Sequence, residues 1–137
     1  MYLPPTTQTA DIVGPQLDFQ FVVPGHQRWT LRSVFAVASR AVGGVPDRAY
    51  LLTITNGGLI VAQVGAADAG TEPGACSVTF ANTPAASVSA GPLGVTVAPF
   101  APPPLDPGYV IDGKILAPAA GDTWISAVAW FDFAYTA

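Results

Sequence analysis

Few side chains in this 137-residue chain could carry out chemistry: one histidine, one cysteine and nine carboxylates. A Ser-His-Asp relay or a zinc site needs an imidazole held by neighbours. His26 instead follows Pro24 and Gly25, a turn, where an exposed histidine is expected. Cys76 lies in ACSVTF, which reads as a strand, so a small buried hydrophobe is expected; a reactive thiol would need a cationic neighbour. A glycosidase requires two carboxylates facing each other across a sugar-sized gap. Asp112, Asp122 and Asp132 fall on or near strands, but Asp122 follows Gly121, and Asp106 stands between Leu105 and Pro107, both ordinary turn settings. Gly43-Gly44 and Gly57-Gly58 lack the lysine and the strand-to-helix context of a phosphate loop. No catalytic, cofactor-binding or metal-ligating residue is therefore expected, and the chain reads as a non-enzyme.

Composition points to packing. Half the residues are hydrophobic and 10% are charged, where an ordinary soluble domain carries about 25% charged residues. A membrane would need roughly 18 consecutive apolar residues; the most apolar stretch, residues 125 to 137, is interrupted by Ser126 and Asp132 and alternates as a strand does. MYLPPTTQTADIVG has neither the basic start nor the apolar block of a secretory leader, so the chain is expected to be made and kept soluble inside the cell, at least initially. The net charge is −4 and the five basic residues, Arg28, Arg32, Arg40, Arg48 and Lys114, are scattered. Phosphate neutralisation wants a basic stripe, so nucleic acid is not an expected partner. The apolar excess points instead to protein neighbours, because obligate interfaces resemble a divided core and are low in charge.

The elements that would present such a surface are strands. Fourteen prolines and fourteen glycines cut the chain into short apolar runs with no helical period. Residues 1 to 16 hold too little apolar surface to anchor themselves and are expected to form an arm; residues 17 to 137 are expected to form one β-sandwich domain. LDFQFVV at 17 to 23 alternates with Leu17, Phe19, Phe21 and Val23 on one face. RWTLRSVFAVAS at 28 to 39 places Trp29, Leu31, Phe35 and Val37 together. RAYLLTIT at 48 to 55 and GLIVAQV at 58 to 64 flank Asn56 and Gly57, a strong hairpin signal. A loop at 65 to 74 precedes ACSVTFA at 75 to 81, followed by weaker strands at 86 to 89 and 93 to 98. PFAPPPLDPG at 99 to 108 is too rich in proline for a central strand and should run as a rigid surface connector. YVIDGKIL at 109 to 116 and DTWISAVAWFDF at 122 to 133 complete about eight strands, a count that suits an antiparallel, jelly-roll-like sandwich.

The last strand is apolar on both faces by alternation: Trp124, Val128 and Trp130 on one, Ile125, Phe131, Phe133 and Tyr135 on the other. A strand packed between its own core and a neighbour looks like this. Trp124, Trp130, Phe131, Phe133 and Tyr135 are accordingly the candidate interface residues, while Trp29, beside Leu31 and Phe35, is expected in the core.

Three stretches, in order, also carry a resemblance. VVPGHQRWTLRSVFAVAS (22 to 39), DRAYLLTITNGGLIVAQV (47 to 64) and PLDPGYVIDGKILAPAAGDTWISAVAWFDF (104 to 133) resemble the Val-Pro-Ala/Gly-x-x-x-Trp opening with its alternating strand, the Asn/Asp-Arg strand-turn-strand and the Leu-Pro-x-Gly-Tyr, strand, Ala-Gly-Asp-x-Trp, strand ending of small β-sandwich virion proteins of tailed bacteriophages. Asp106 before Pro107-Gly108-Tyr109 and the FDFAYTA close depart from that pattern. The resemblance implies a decoration or cement protein on the exterior of the particle, a homotrimer that clamps major capsid subunits and needs no cofactor. Two other readings share the sandwich: a carbohydrate-binding module of a head or tail fibre, which requires a tryptophan with an open ring face beside a carboxylate or amide, and a tail or neck component.

Overall fold

Alternation of apolar and polar residues builds nearly every strand of this protein. The structure is a computed structural model that describes residues 6–9, 11–13, 18–41, 48–68, 74–81, 87–88, 95–116 and 121–136. Its strands are β1 (Thr6–Thr9), β2 (Asp11–Val13), β3 (Asp18–Val22), β4 (Gln27–Arg40), β5 (Arg48–Asn56), β6 (Leu59–Asp68), β7 (Gly74–Ala81), β8 (Ser87–Val88), β9 (Val95–Pro99), β10 (Val110–Leu116) and β11 (Thr123–Tyr135). They form two sheets, ordered β1-β11-β4-β7-β9-β8 and β2-β3-β10-β5-β6. The all-β sandwich expected from the sequence is what forms, with eight strands of five residues or more and three short ones at edges. Most links between successive strands pass from one sheet to the other, and among the described residues only β7 and β9 pair in parallel.

The core lies between the sheets and follows period two. Phe19, Phe21 and Val23 point in from β3 and its end, Tyr50, Leu52 and Ile54 from β5, Cys76, Val78 and Phe80 from β7, Ile111 and Ile115 from β10. Two aromatic groups mark its ends. Trp124 meets Phe19 edge to face at 5.0 Å and Tyr50 at 5.3 Å, while Trp29 stacks on Phe131 at 3.6 Å between ring centroids. Such pairs stabilise by about 0.5–1.5 kcal/mol beyond their burial.

Several expectations shift. Residues 6–9 and 11–13, within the segment expected as an arm, pair with β11 and β3 of the same chain. Backbone hydrogen bonds to open sheet edges can fix a segment whose side chains are too polar to do so; residues 1–5 and 14–16 lie outside the described residues. The hairpin turn is Gly57-Gly58, one position later than expected, with Asn56 facing Leu59. Both glycines have positive φ, 59° and 85°, which a type I′ turn demands at both central positions. β6 then continues to Asp68, into the expected loop. Along the proline-rich connector, Phe100 and Leu105 are buried anchors; Leu105 exchanges backbone hydrogen bonds of 2.9 and 2.8 Å with Trp29.

The largest departure is in the β4–β11 ladder, where two bulges break the alternation. Trp124 pairs with Ala38 and Ser126 with Val37, so Ile125 is an extra residue; Trp130 pairs with Ser33 and Phe131 with Leu31, so Arg32 is extra on the other strand. Each insertion moves the following side chains to the opposite face. The inward set is therefore Trp29, Val34, Ala36 and Ala38 on β4, and Trp124, Ala127, Ala129 and Phe131 on β11. Phe35 and Val37, expected on the face of Trp29, turn outward, and Trp124 and Trp130 lie on opposite faces.

Candidate functional site

The bulges assemble an apolar surface on the outer face of the β4–β11 ladder. Opposite the Arg32–Ser33 bulge stands Trp130, whose residue surface is 46% exposed. One row along, Val128 pairs with Phe35, and one further, Ser126 pairs with Val37. Phe35 and Ile125 are exposed and Val37 and Val128 half-buried, so this set runs continuously along the two longest strands of the molecule. The outward position of Ile125 is the direct result of its bulge, and that of Phe35 the result of the phase shift at Arg32.

Charge borders this surface at one end. The guanidinium of Arg32 donates from Nε to Asp132 Oδ2 at 2.7 Å, with a second contact from Nη2, and Arg28 Nε donates to Asp106 Oδ1 at 2.8 Å. Asp132 lies two residues beyond Trp130 on the same face of β11. An exposed indole next to an arginine–carboxylate pair provides a flat apolar platform with donors and acceptors at its rim.

The five residues proposed from sequence divide. Trp130 and Tyr135 are exposed, Tyr135 at 77%; Phe133 is half-buried against the core and meets Tyr135 edge to face at 5.3 Å. Trp124 and Phe131 are core residues, 2% and 3% exposed, and offer no surface to a neighbour. Strict alternation missed this because it has no place for the extra Ile125. It also missed Phe35, which carries an exposed ring in the same patch.

Asp122, expected as an ordinary turn residue, is instead the acceptor of a buried ion pair. Arg48 donates from Nε to Oδ2 at 2.7 Å and from Nη2 to Oδ1 at 3.1 Å, and the Ala41 amide donates to Oδ1 at 2.8 Å. Both side chains are about 1% exposed. The Asp-Arg and Gly-Asp-x-Trp motifs are thus two halves of one contact. The remaining motif residues interlock similarly: Trp29 with Leu105, Arg28 with Asp106, and Val23 with Gly108 and Tyr109 through backbone hydrogen bonds. These motifs hold the fold together.

On the outer face of the other sheet, Gln20, Asp112, Thr53 and Gln63 form a polar row across β3, β10, β5 and β6. Gln63 Nε2 donates to Thr53 Oγ1 at 2.9 Å. Burial, and then the negative charge of Asp18, raise the Asp112 carboxyl above the usual aspartate range, against the opposing pull of Lys114 and a hydrogen bond from Gln20. His26 is an exposed turn residue with φ of 68°, and Cys76 is buried with its sulfur 2.8 Å from the Tyr50 hydroxyl. Among the described residues, no group of three His, Cys, Asp or Glu side chains could hold a metal ion, and no helix is long and apolar enough to cross a membrane.

A scan against protein-family models and searches of curated proteins and of solved structures gave no match. The fold defines the chain as a β-sandwich, and its function rests on its own surfaces.

Proposed function

We propose that this chain is a non-enzymatic structural protein of a tailed-phage particle, a decoration protein on the capsid exterior that stabilises the head by self-association and by contact with major capsid subunits. The observation that carries this reading is the apolar ridge Trp130, Phe35, Val128 and Ile125 on the outer face of the β4–β11 ladder, turned away from the core between the sheets. Apolar area removed from water contributes about 25 cal/mol per Å², and a capsid offers this ridge a protein surface to cover it. The order of the three motif stretches supports the same assignment. The test is binding to particles of the encoding phage assembled without the protein. Cosedimentation of the wild-type chain, a higher temperature of particle disruption, and loss of both in Trp130→Ala/Phe35→Ser are expected. A wild-type chain that ignores the particles overturns the proposal; binding confined to tails would place it as a tail or neck component.

One observation favours a second reading, glycan binding by a fibre module: the exposed residue Trp130, two positions from Asp132 of the Arg32–Asp132 pair on the same face of β11. Stacking of a sugar ring on this indole would quench its fluorescence and survive Phe35→Ser, whereas capsid binding uses both residues. A glycan array without a hit reproducible by titration removes this alternative.

A further inference from the structure

Three of the four strands at the ends of the two sheets are short: β1 has four residues, β2 three and β8 two. The fourth, β6, has ten, and among the described residues only β5 pairs with it. Natural sandwiches blunt open edges by shortness, by charge or by proline, because a row of free amides and carbonyls is a template for another strand. From Leu59 to Ala67, β6 carries no charge and no proline. It has one bulge, at Val61, and beyond it residues 62–67 pair with β5 in unbroken register. Leu59, Ile60 and Val61 project into solvent at its start, Leu59 at 75% exposure.

We infer that β6 is a self-association edge, and that a second copy of this chain adds its own β6 antiparallel across a two-fold axis near Val64 and Gly65, joining two five-stranded sheets into one of ten. The charge pattern selects this occupant. The one charged residue of β6 is Asp68, at its end, so an antiparallel two-fold sets the two aspartates at opposite ends of the ladder and leaves an uncharged stretch against its like. Parallel addition would set them side by side. Isologous pairing also matches length, since none of the other end strands exceeds four residues. The resulting unit is a dimer, where the phage resemblance implies a trimer, and the contact stands whether or not the protein decorates a capsid.

Light scattering across a concentration series tests this with the full chain, its Gln63→Lys/Gly65→Lys variant and Trp130→Ala. Expected are a wild-type mass twice the 14.0 kDa of the chain, a folded monomer for the lysine variant, and an unchanged dimer for Trp130→Ala. A wild-type monomer or trimer, or a dimer indifferent to the lysines, overturns the inference. Should the lysine variant not fold, hydrogen exchange on the wild-type chain decides. Protection at residues 62–67 that rises with protein concentration supports the β6 contact, and protection independent of concentration rejects it.

Discussion

Phe19 lies across the bare α-carbon of Gly113, its cross-strand partner in the β3–β10 ladder, so that a Cβ at Gly113 would collide with the far end of the phenyl ring. The ring is fully buried and packs edge to face on Phe21 and Trp124, which leaves it no free direction in which to move. Gly113→Ala should therefore cost about 1–3 kcal/mol, the range for overpacking a tight core, read as a lower urea midpoint. Gly65→Ala is the control, with an expected change within about 0.5 kcal/mol. Equal changes at the two sites would show that the Phe19 ring does not govern Gly113.

The Arg48–Asp122 pair should behave as a buried charge contact in which loss of one partner is costly. Removing the carboxylate takes from Arg48 the acceptor of two hydrogen bonds and from the Ala41 amide its acceptor. Asp122→Ala is expected to cost about 3–5 kcal/mol, whereas the double variant Arg48→Met/Asp122→Leu should regain most of that loss. Denaturant melts of the two single variants and the double form the cycle. Additive losses would mean that the two side chains act separately.

Asp112 gives a pH dependence of definite sign. Folding raises its carboxyl pKa, chiefly by burial and then by Asp18. The folded chain thus holds this proton over a window in which the unfolded chain has released it, and stability from this group falls as pH rises through that window. At neutral pH the deficit is complete; below the ordinary aspartate range both states are protonated and it vanishes. Asp112→Asn should melt higher than wild type at pH 7, and the difference should shrink and vanish as the pH falls below the ordinary aspartate range. A variant less stable at pH 7 would show that attraction to Lys114 outweighs burial.

Most of the fold was legible because period two is a property of residues, not of their surroundings. Phe19, Phe21 and Val23, or Cys76, Val78 and Phe80, declare their inward face by themselves. The bulges at Ile125 and Arg32 do not, since each is defined by a mismatch between two strands distant in sequence. That is why alternation alone places Trp124 on the face of Trp130 and Phe35 on the face of Trp29. The partnership of Arg48 with Asp122 was hidden for the same reason: a Gly-Asp step reads locally as a turn, and only the sheet-to-sheet approach reveals a buried cation beside it.

If the Ile125 bulge alone sets the phase of β11, deleting that residue should leave the rest of the ladder intact. Trp124 already pairs with Ala38 and Ser126 with Val37, which are adjacent on β4, so closing the gap removes the extra residue without moving either neighbour to the other face. The deletion should cost about 1 kcal/mol through lost local twist and exposed packing, and quenching of tryptophan fluorescence by acrylamide should not rise. An alanine inserted between Ala127 and Val128 does the reverse. It falls in a stretch of unbroken register and carries Ala129 and Phe131 toward solvent, so that the stack of Phe131 on Trp29 is lost. That insertion should cost at least about 3 kcal/mol, the range for losing a buried phenyl ring, and should make Trp29 accessible to the quencher. Should the deletion expose a tryptophan while the insertion does not, the inward face of β11 is set elsewhere than at Ile125, and the apolar ridge built on that phase loses its basis.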